Sequence, residues 1–501
     1  MKTLINHLIT TAALLFIASL PAMATEPLHL KQVLESIRDH HPDLQLNRID
    51  RRIAMTESLN VEGMLDPTVS ANIIASEEKV PVSSDFQASE TRLGQFSGNI
   101  AKPLSNGGTL SANFTYNRIG NAYNSPFAAQ LSRFNPSFRN QINASYRHPI
   151  FKGAGRPDYE QSMLAAEAGV DAARQQSLVT LHILSLQAIS AFYQLAADDI
   201  NINIAQQAVK RSKKLLNYQR SREQFGLIEK ADRLQAEALL AARKTGLQKA
   251  KAQRYNDQSS LNRLMLRPSA FEITIHPITA HDIHAPSIAD ATEKALQFRP
   301  ELQWLNAQMH VADAQLIMAL DNDQVQLDVI AEVGTRALAD SFGKGVTRGF
   351  EANDKRYYAA LSFELSDVLG RKRVNAAIRK AELNRQRLKA QRIQVVEQIN
   401  DDISSASSAI SAGLPTLAYA KKQVVAEQRK FNAEMKRYRQ GRSDTATLVQ
   451  FEGELLNASL NAELQALSLQ LAEKQLYWAQ GSLLQDLGLN TAQLHNGDDT
   501  Q

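Results

Sequence analysis

Few residues in this chain have the types and spacing that chemistry needs. His276, His281 and His284, with Asp282 among them, form one cluster whose side chains could hold a divalent metal. His281 and His284 sit in a proline-containing connector, a setting that favours loop polarity over a rigid ligand set. Gly343-Lys344-Gly345 looks superficially like a phosphate loop, but no Ser or Thr follows the lysine and the spaced upstream glycine is missing, which favours a solvent loop. Neither Gly-x-Ser-x-Gly nor His-Glu-x-x-His occurs. The absence of cysteine excludes thiolate ligands, cysteine nucleophiles, disulfides and a lipidated N-terminal cysteine. An exported hydrolase or metal enzyme therefore has no constellation to stand on, and the sequence reads as a non-enzyme with no cofactor.

The elements around these residues are more informative. With 44% hydrophobic and 22% charged residues in 501, the chain has ample core material and is neither disordered nor a bare coiled-coil rod. Lys2, an apolar stretch containing Ala12 to Leu20, and Ala22-Met23-Ala24 read as a signal peptide over residues 1–24, so export is expected. The net charge of +4 is too small to mark a nucleic-acid partner. No later window approaches the roughly 18 to 20 uninterrupted apolar residues of a membrane-spanning helix. If the chain crosses a membrane, it must do so as strands.

The sequence repeats itself. His41-Pro42-Asp43-Leu44-Gln45 returns as Arg299-Pro300-Glu301-Leu302-Gln303, each after a short amphipathic segment that begins near Leu30 or Ile288. Pro149-Ile150-Phe151-Lys152-Gly153-Ala154-Gly155-Arg156 is echoed by Leu365-Ser366-Asp367-Val368-Leu369-Gly370-Arg371. Phe225-Gly226-Leu227 with Asp232 is echoed by Tyr438-Arg439-Gln440-Gly441-Arg442 with Asp444. This divides the chain into a first repeat over 25–285 and a second over 286–501. Between the Gly-rich turn and the tip glycine the halves agree in length, which implies two helices of nearly equal length, each of some 70 residues and about 105 Å long. The first half carries about 41 extra residues ahead of its Gly-rich turn, read as a hairpin inserted among its strands at about 92–140.

Period-two alternation marks Val69 to Ala75, Leu110 to Tyr116, Ile142 to Tyr146, Val325 to Val333 and Tyr357 to Leu365, with a strand pair at about 325–366. Asn106-Gly107-Gly108 is a hairpin signal, and Gly334 to Asp354 reads as a solvent loop. Strands with one apolar and one polar face suit a membrane barrel, yet also a half-buried soluble sheet. Four to six strands cannot close alone in lipid, so several chains would have to share one barrel. Leu448, Leu455, Ala462, Leu469 and Leu476 recur every seven residues, which implies helices supercoiling in contact. Gly413-Leu414-Pro415 is expected to kink or break the preceding helix.

Leader, twofold repeat, paired strands, paired long helices and a glycine at each helix turn together resemble the TolC-like outer membrane efflux protein family over nearly all of the mature chain. The resemblance implies a mainly α fold with a membrane β-barrel portion, in which very long antiparallel helices form a trimeric periplasmic α-barrel. It further implies about four barrel strands per protomer, hence a 12-stranded barrel in outer membrane lipid, and a passive duct for small molecules. The implied partners are two further copies of the chain, a periplasmic adaptor and an inner membrane transporter. Matched residue by residue, Gly226, Leu227, Gly441 and Arg442 fall on the adaptor-docking tips, and Asp232 and Tyr438 fall on gating positions. The family arginine after the second glycine falls on Ser443, beside Arg442, and two pore carboxylates fall on Thr447 and Gln450. Either Asp444 substitutes for them in part or the constriction is less acidic than the family's, which leaves the cation sensitivity of the pore open.

The helix ends beside both turns are basic, with Lys210, Arg211, Lys213, Lys214, Arg220 and Arg222 in one half and Lys436, Arg437, Arg439 and Arg442 in the other. Such charge suits a solvated face, an adaptor contact or an anion-attracting entrance. Two alternatives stay open: an exit duct for protein or peptide secretion, and a periplasmic coiled-coil spacer with no channel.

Overall fold

The structure is a computed structural model that describes residues 27–278, 282–351 and 356–489. The leader at 1–24 and His281 lie outside the described residues.

Chain order follows the repeat. Helices α1 (Leu30–His40) and α2 (Pro42–Glu62) precede strands β1 (Thr68–Lys79), β2 (Ala88–Pro103) and β3 (Thr109–Tyr123). A short helix α3 (Pro126–Leu131) and β4 (Ser137–Pro149) lead into α4 (Pro157–Gln224) and α5 (Lys230–Leu264). The second half gives α6 (Ile288–Phe298), α7 (Pro300–Asp321), β5 (Gln326–Ala339), α8 (Phe342–Phe350) and β6 (Tyr357–Ser366). It closes with α9 (Lys372–Arg439), α10 (Thr445–Ala479) and α11 (Leu483–Asp486). The two long helices have 68 residues each and the two returning helices 35 each, so the duplication is preserved to the residue.

Each sequence echo has one backbone cause. His41 and Arg299 are extended, with ψ 131° and 121°, because the proline that follows forbids them the helical region. One helix therefore ends and the next begins on Pro42 or Pro300. Arg156 (φ 57°) and Arg371 (φ 42°) both adopt the left-handed region immediately before a long helix. Their guanidinium groups hold those corners: Arg156 donates to the carbonyls of Leu104 and Met64, and Arg371 to Asp323 and Asp367.

Two compact units emerge, and each draws on both repeats. The first consists of the chain up to Arg48, Arg174–Leu302 and the chain from Gln394 onward. It has two related cores. One joins Leu34, Ile37 and Leu44 of α1 and α2 to Leu181, Ile189 and Leu195 of α4 and Leu261 of α5. The other joins Ala295 and Leu302 of α6 and α7 to Ile399, Ile403 and Ile410 of α9 and Leu469 and Leu476 of α10. The seven-residue seam of α10 is thus core: Leu448, Leu455, Ala462, Leu469 and Leu476 are all buried. Arg299 sits where the second repeat's helices meet, bonded to Asp402 at 3.1 Å and stacked over Trp478 at 4.7 Å. Trp478 in turn stacks on His182 and donates its indole N–H to the His182 carbonyl at 2.7 Å. Burial drives the His182 pKa well below its ordinary value, with the nearby Arg299 charge acting in the same direction.

One window of α4 is apolar enough by length and composition to cross a membrane, and half of it is buried. Residues 175–197 carry no Asp, Glu, Lys or Arg. Leu181, Ile189 and Leu195 within that stretch face the core, which accounts for its apolarity. The expected break at Pro415 does not occur, since α9 continues through it. Proline removes one backbone donor there. The Thr416 hydroxyl bonds the Ala412 carbonyl at 2.7 Å, and Leu469 lies close to Gly413.

The second unit, Ile49–Ala173 with Gln303–Ile393, contains one antiparallel sheet in the order β1-β2-β3-β4-β5-β6. The expectation of about four strands is corrected to six. The segment read as an insertion is β2 and β3, which pair with each other from Ala88↔Tyr123 to Pro103↔Thr109 and lie between β1 and β4. The Gly334–Asp354 loop is also shorter than read. β5 runs to Ala339, and Gly343-Lys344-Gly345 lies within α8, whose Gly345 and Gly349 pack closely on Phe138 and Asn140 of β4.

Register fixes which side chains share a face. One face carries Val69, Ala71 and Ile73, then Phe96 and Ile100, and Leu110, Ala112 and Phe114. It continues through Ile142 and Ala144, Ala331 and Val333, to Leu361 and Phe363. Away from the loop end, where α8 covers Tyr116, Asn140 and Ala339, this face is uncovered, with Ile73 78%, Val69 75% and Phe363 68% exposed. Glu77, Lys79, Glu90 and Arg92 pair with one another at the loop end of β1 and β2 and terminate the apolar band there. The opposite face is mainly polar. Arg147 bridges Asp328 and Glu364, each at 2.7 Å, across three strands, and Asn143 bonds Glu332 at 2.9 Å.

Candidate functional site

The two tip turns have the same construction. After α4, Leu227 N–H bonds the Arg222 carbonyl at 2.9 Å and Gly226 N–H bonds that of Glu223 at 2.9 Å. After α9, Arg442 N–H bonds the Arg437 carbonyl at 3.0 Å and Gly441 N–H bonds that of Tyr438 at 3.1 Å. Each is a Schellman stop, which needs a left-handed residue at the glycine position, and Gly226 (φ 68°) and Gly441 (φ 71°) supply it. Leu227 and Arg442 therefore occupy equivalent positions. No heavy atom lies within 4 Å of a Cβ built on either glycine, so their constraint is conformational and their surroundings are open. Phe225 (78% exposed) and Leu227 stand uncovered at the first turn, and Arg439 and Arg442 are exposed at the second.

Asp232 and Tyr438, singled out as gating positions, are brought together by a residue that sequence reasoning missed. Thr445, the first residue of α10 and 2% exposed, donates its hydroxyl to Asp232 Oδ1 of α5 at 3.0 Å. A hydroxyl has one proton, so the Tyr438 O–H of α9, 3.2 Å away, must donate to Thr445. Gln219 Nε2 of α4 donates to the same oxygen at 2.6 Å. One donor and two acceptor sites are thereby filled, and four helices meet on a single oxygen. Burial pushes the Tyr438 phenol pKa up, the Thr445 hydrogen bond opposing it. Tyr438 is 2% exposed, so within one chain its ring faces neighbouring helices, with Tyr218 5.9 Å away.

The other three constriction candidates are not among the groups bonded to this oxygen. Asp444 is the N-cap of α10, accepting the Thr447 N–H at 2.7 Å and the Thr447 hydroxyl at 3.1 Å. Those two bonds, the backbone one first, hold its carboxyl below the usual range. Gln450 is exposed and bonds Glu454 one turn along at 2.9 Å.

The basic helix ends are divided in role. Arg211 of α4 and Arg243 of α5 clamp the buried carboxylate of Glu452 in α10 at 3.1 and 3.3 Å. Lys210, Lys213, Lys214, Arg220, Lys436, Arg437, Arg439 and Arg442 remain exposed. A cavity of about 250 Å³, bordered by Tyr218, Leu239, Met435, Tyr438 and the Arg211–Glu452 pair, lies among the four helices. Neither Glu452 nor Thr445 carries a sequence signal beyond its place near the start of a helix.

His276 stacks on His29 with ring centroids 4.2 Å apart, and among the described residues no three His, Cys, Asp or Glu side chains converge on a metal position.

No family sequence model and no curated protein sequence matches the chain. Its fold nevertheless has solved counterparts. The outer-membrane channel OprN aligns with a TM-score of 0.65 at 16% identity, over 90% of this chain and 90% of that one. The CmeC outer membrane channel of Campylobacter jejuni aligns with a TM-score of 0.65 at 13% identity, over 92% and 90%. The outer membrane protein VceC of Vibrio cholerae aligns with a TM-score of 0.62 at 16% identity, over 90% and 96%. The chain has the TolC-like fold of these outer membrane proteins over about nine-tenths of its length.

Proposed function

We propose that this chain is the outer membrane duct of a tripartite export system. Copies of it close a barrel in outer membrane lipid and extend helices into the periplasm, where the turns at Gly226 and Gly441 dock a periplasmic adaptor and an inner membrane transporter supplies the energy. No residue of the chain needs to perform chemistry. The observation that carries this reading is the six-stranded sheet itself. Its apolar face carries exposed side chains on every strand and is covered only at the loop end of β3 to β5, where α8 packs on Tyr116, Phe138 and Asn140; its other face is mainly polar, and among the described residues its two edges are open. Lipid on one side and water on the other satisfy such a sheet, provided that further copies cover the edges. The fold shared with OprN, CmeC and VceC, which bear the names of outer membrane proteins and channels, supports the same reading. We take three copies as the assembly and small molecules as the cargo.

The constriction is assigned to the region of Asp232, Tyr438, Asp444, Thr447 and Gln450, with Thr445 as its fastening. Adaptor docking is assigned to Gly226, Leu227, Gly441 and Arg442, since Phe225 and Leu227 are exposed at the first turn and Arg439 and Arg442 at the second. The test is twofold. Protein extracted from outer membranes and added to a planar lipid bilayer should give discrete conductance steps, and cells lacking the chain should accumulate small toxic compounds. Absence of conductance in protein that is soluble without detergent would instead favour the coiled-coil spacer. Loss of a secreted polypeptide with no change in small-molecule accumulation would move the cargo to protein or peptide secretion. Charge reversal at Arg439 and Arg442 should weaken adaptor crosslinking; unchanged crosslinking and transport would remove the docking assignment.

A further inference from the structure

A sheet that supplies six strands per chain has a consequence for the size of the pore. We propose, resting on the reading of the chain as a trimeric duct, that its membrane barrel has eighteen strands, closed by pairing β1 of each copy with β6 of the next. The resemblance alone implies twelve.

The first support is that β2 and β3 are wall and not a protruding hairpin. They separate β1 from β4 and bond along both sides, with Thr68↔Ala101 to Lys79↔Glu90 on one side and Thr109↔Arg147 to Ile119↔Ser137 on the other. Their side chains obey the same two-face rule as the other four strands. Phe96, Ile100, Leu110 and Phe114 extend the apolar face, while Gln95, Asn99, Asn113 and Thr115 extend the polar one. A hairpin standing in water has no reason to keep one face apolar in register with its neighbours; a barrel strand must.

The second support comes from the edges. Among the described residues β1 and β6 are the two ends of the sheet, and every residue of β1 is exposed. Hydrocarbon offers no partner for a free row of backbone N–H and C=O groups, so a strand must cover each edge. With six antiparallel strands per chain, β1 and β6 run in opposite directions, and β6 of one copy therefore meets β1 of the next in the same alternation. The apolar face also continues across that junction, from Leu361, Phe363 and Leu365 on β6 to Val69, Ala71 and Ile73 on β1. The occupant that fits both edges is a second copy of this chain.

Barrel width follows from strand number. At about 4.8 Å between strands and a tilt of about 40°, twelve strands give a backbone diameter of about 24 Å and eighteen give about 36 Å. Eighteen strands lie in the range that leaves an aqueous channel. The added wall is lined by the uncharged polar face of β2 and β3, whereas the charged ladder of Arg147, Asp328 and Glu364 stays on β4, β5 and β6.

The direct test is single-particle imaging of the full-length protein, extracted in detergent, with the barrel strands counted in cross-section. Eighteen strands in a three-copy particle is the expected result. A three-copy particle with twelve strands would overturn this inference and leave the duct reading intact; a soluble monomer would remove both. Disulfide trapping supplies a second readout in a chain that has no native cysteine. Ala71→Cys with Gly98→Cys should crosslink within one chain, because these residues face each other across β1 and β2. Ala71→Cys with Ala144→Cys should not, since two strands intervene. Ile73→Cys combined in turn with Leu361→Cys, Phe363→Cys and Leu365→Cys should yield, for at least one pair, a ladder of up to three chains on a denaturing gel. Efficient Ala71–Ala144 crosslinking, or the absence of any β1–β6 ladder in membrane-embedded trimers, would contradict the eighteen-stranded closure.

Discussion

Replacing Thr445 by valine removes one oxygen at nearly constant shape and so isolates the hub that joins the four tip helices. In the native chain that oxygen donates to Asp232 and accepts from Gln219 and Tyr438. Valine leaves two donors unpaired where water does not reach, since Gln219 is 0% and Tyr438 2% exposed. Each unsatisfied buried group costs about 1 to 3 kcal/mol, so the two together cost about 2 to 6 kcal/mol. Asp232 is only half-buried and recovers a water, so it adds little. Because the loss falls at one point, it should appear as local opening. Backbone amides near Gly226 and Gly441 should exchange with solvent about 30-fold faster or more, taking the lower end of that range. Channels carrying Thr445→Val should also stay open for longer in a planar bilayer. Thr445→Ser keeps the hydroxyl and is the control. Equal amide protection and equal open times in the valine and serine variants would refute the role assigned to this oxygen.

Other outcomes follow from the same geometry. Gly226→Ala and Gly441→Ala should each cost about 1 to 2 kcal/mol through left-handed backbone alone, read as a shift in tip-amide protection. The double variant Gly226→Trp, Gly441→Trp should stop export while the barrel still assembles, and normal export would contradict the docking assignment. Glu452→Gln leaves Arg211 and Arg243 without their shared carboxylate and should cost about 3 kcal/mol in denaturant unfolding, the low end for a broken buried pair because both arginines keep some solvent. Asp198 has its pKa pushed up to about 7, chiefly by burial and next by its hydrogen bond to Asp257. The folded chain then holds a proton that the unfolded chain releases, so stability should fall as pH rises from about 4 to about 7. Asp198→Asn should flatten that decline in a pH series of thermal melts.

Much of the fold is legible in the sequence because duplication repeats its punctuation. The His41-Pro42 and Arg299-Pro300 junctions, the corner arginines Arg156 and Arg371, and the glycines Gly226 and Gly441 each fix one backbone conformation, and each recurs. The count of six strands is less legible. β2 presents Gly94, Phe96, Gly98 and Ile100 on its apolar face, and two glycines in four positions blur a period-two signal that is weak per strand in any membrane barrel. The uninterrupted α9 shows a local rule overruled by packing, since Ile410 on one side of Pro415 and Leu414 and Leu417 around it all join the core that holds this helix.

The candidate site divides along the same line. Tip glycines can be read from sequence because a left-handed stop demands glycine, and Leu227 and Arg442 follow from them by position. Thr445 cannot be found that way. Its partners Gln219, Asp232 and Tyr438 come from three other helices, so only the packed bundle brings them to one oxygen. The same holds for Glu452 between Arg211 and Arg243.

The central claim, that this chain is a membrane duct closed by several copies of itself, is tested most directly by the native mass of the full-length protein extracted from purified outer membranes, corrected for bound detergent. A particle of three mature chains that requires detergent is the predicted result. A detergent-independent monomer recovered from the periplasm would contradict it and return the six strands to a soluble domain.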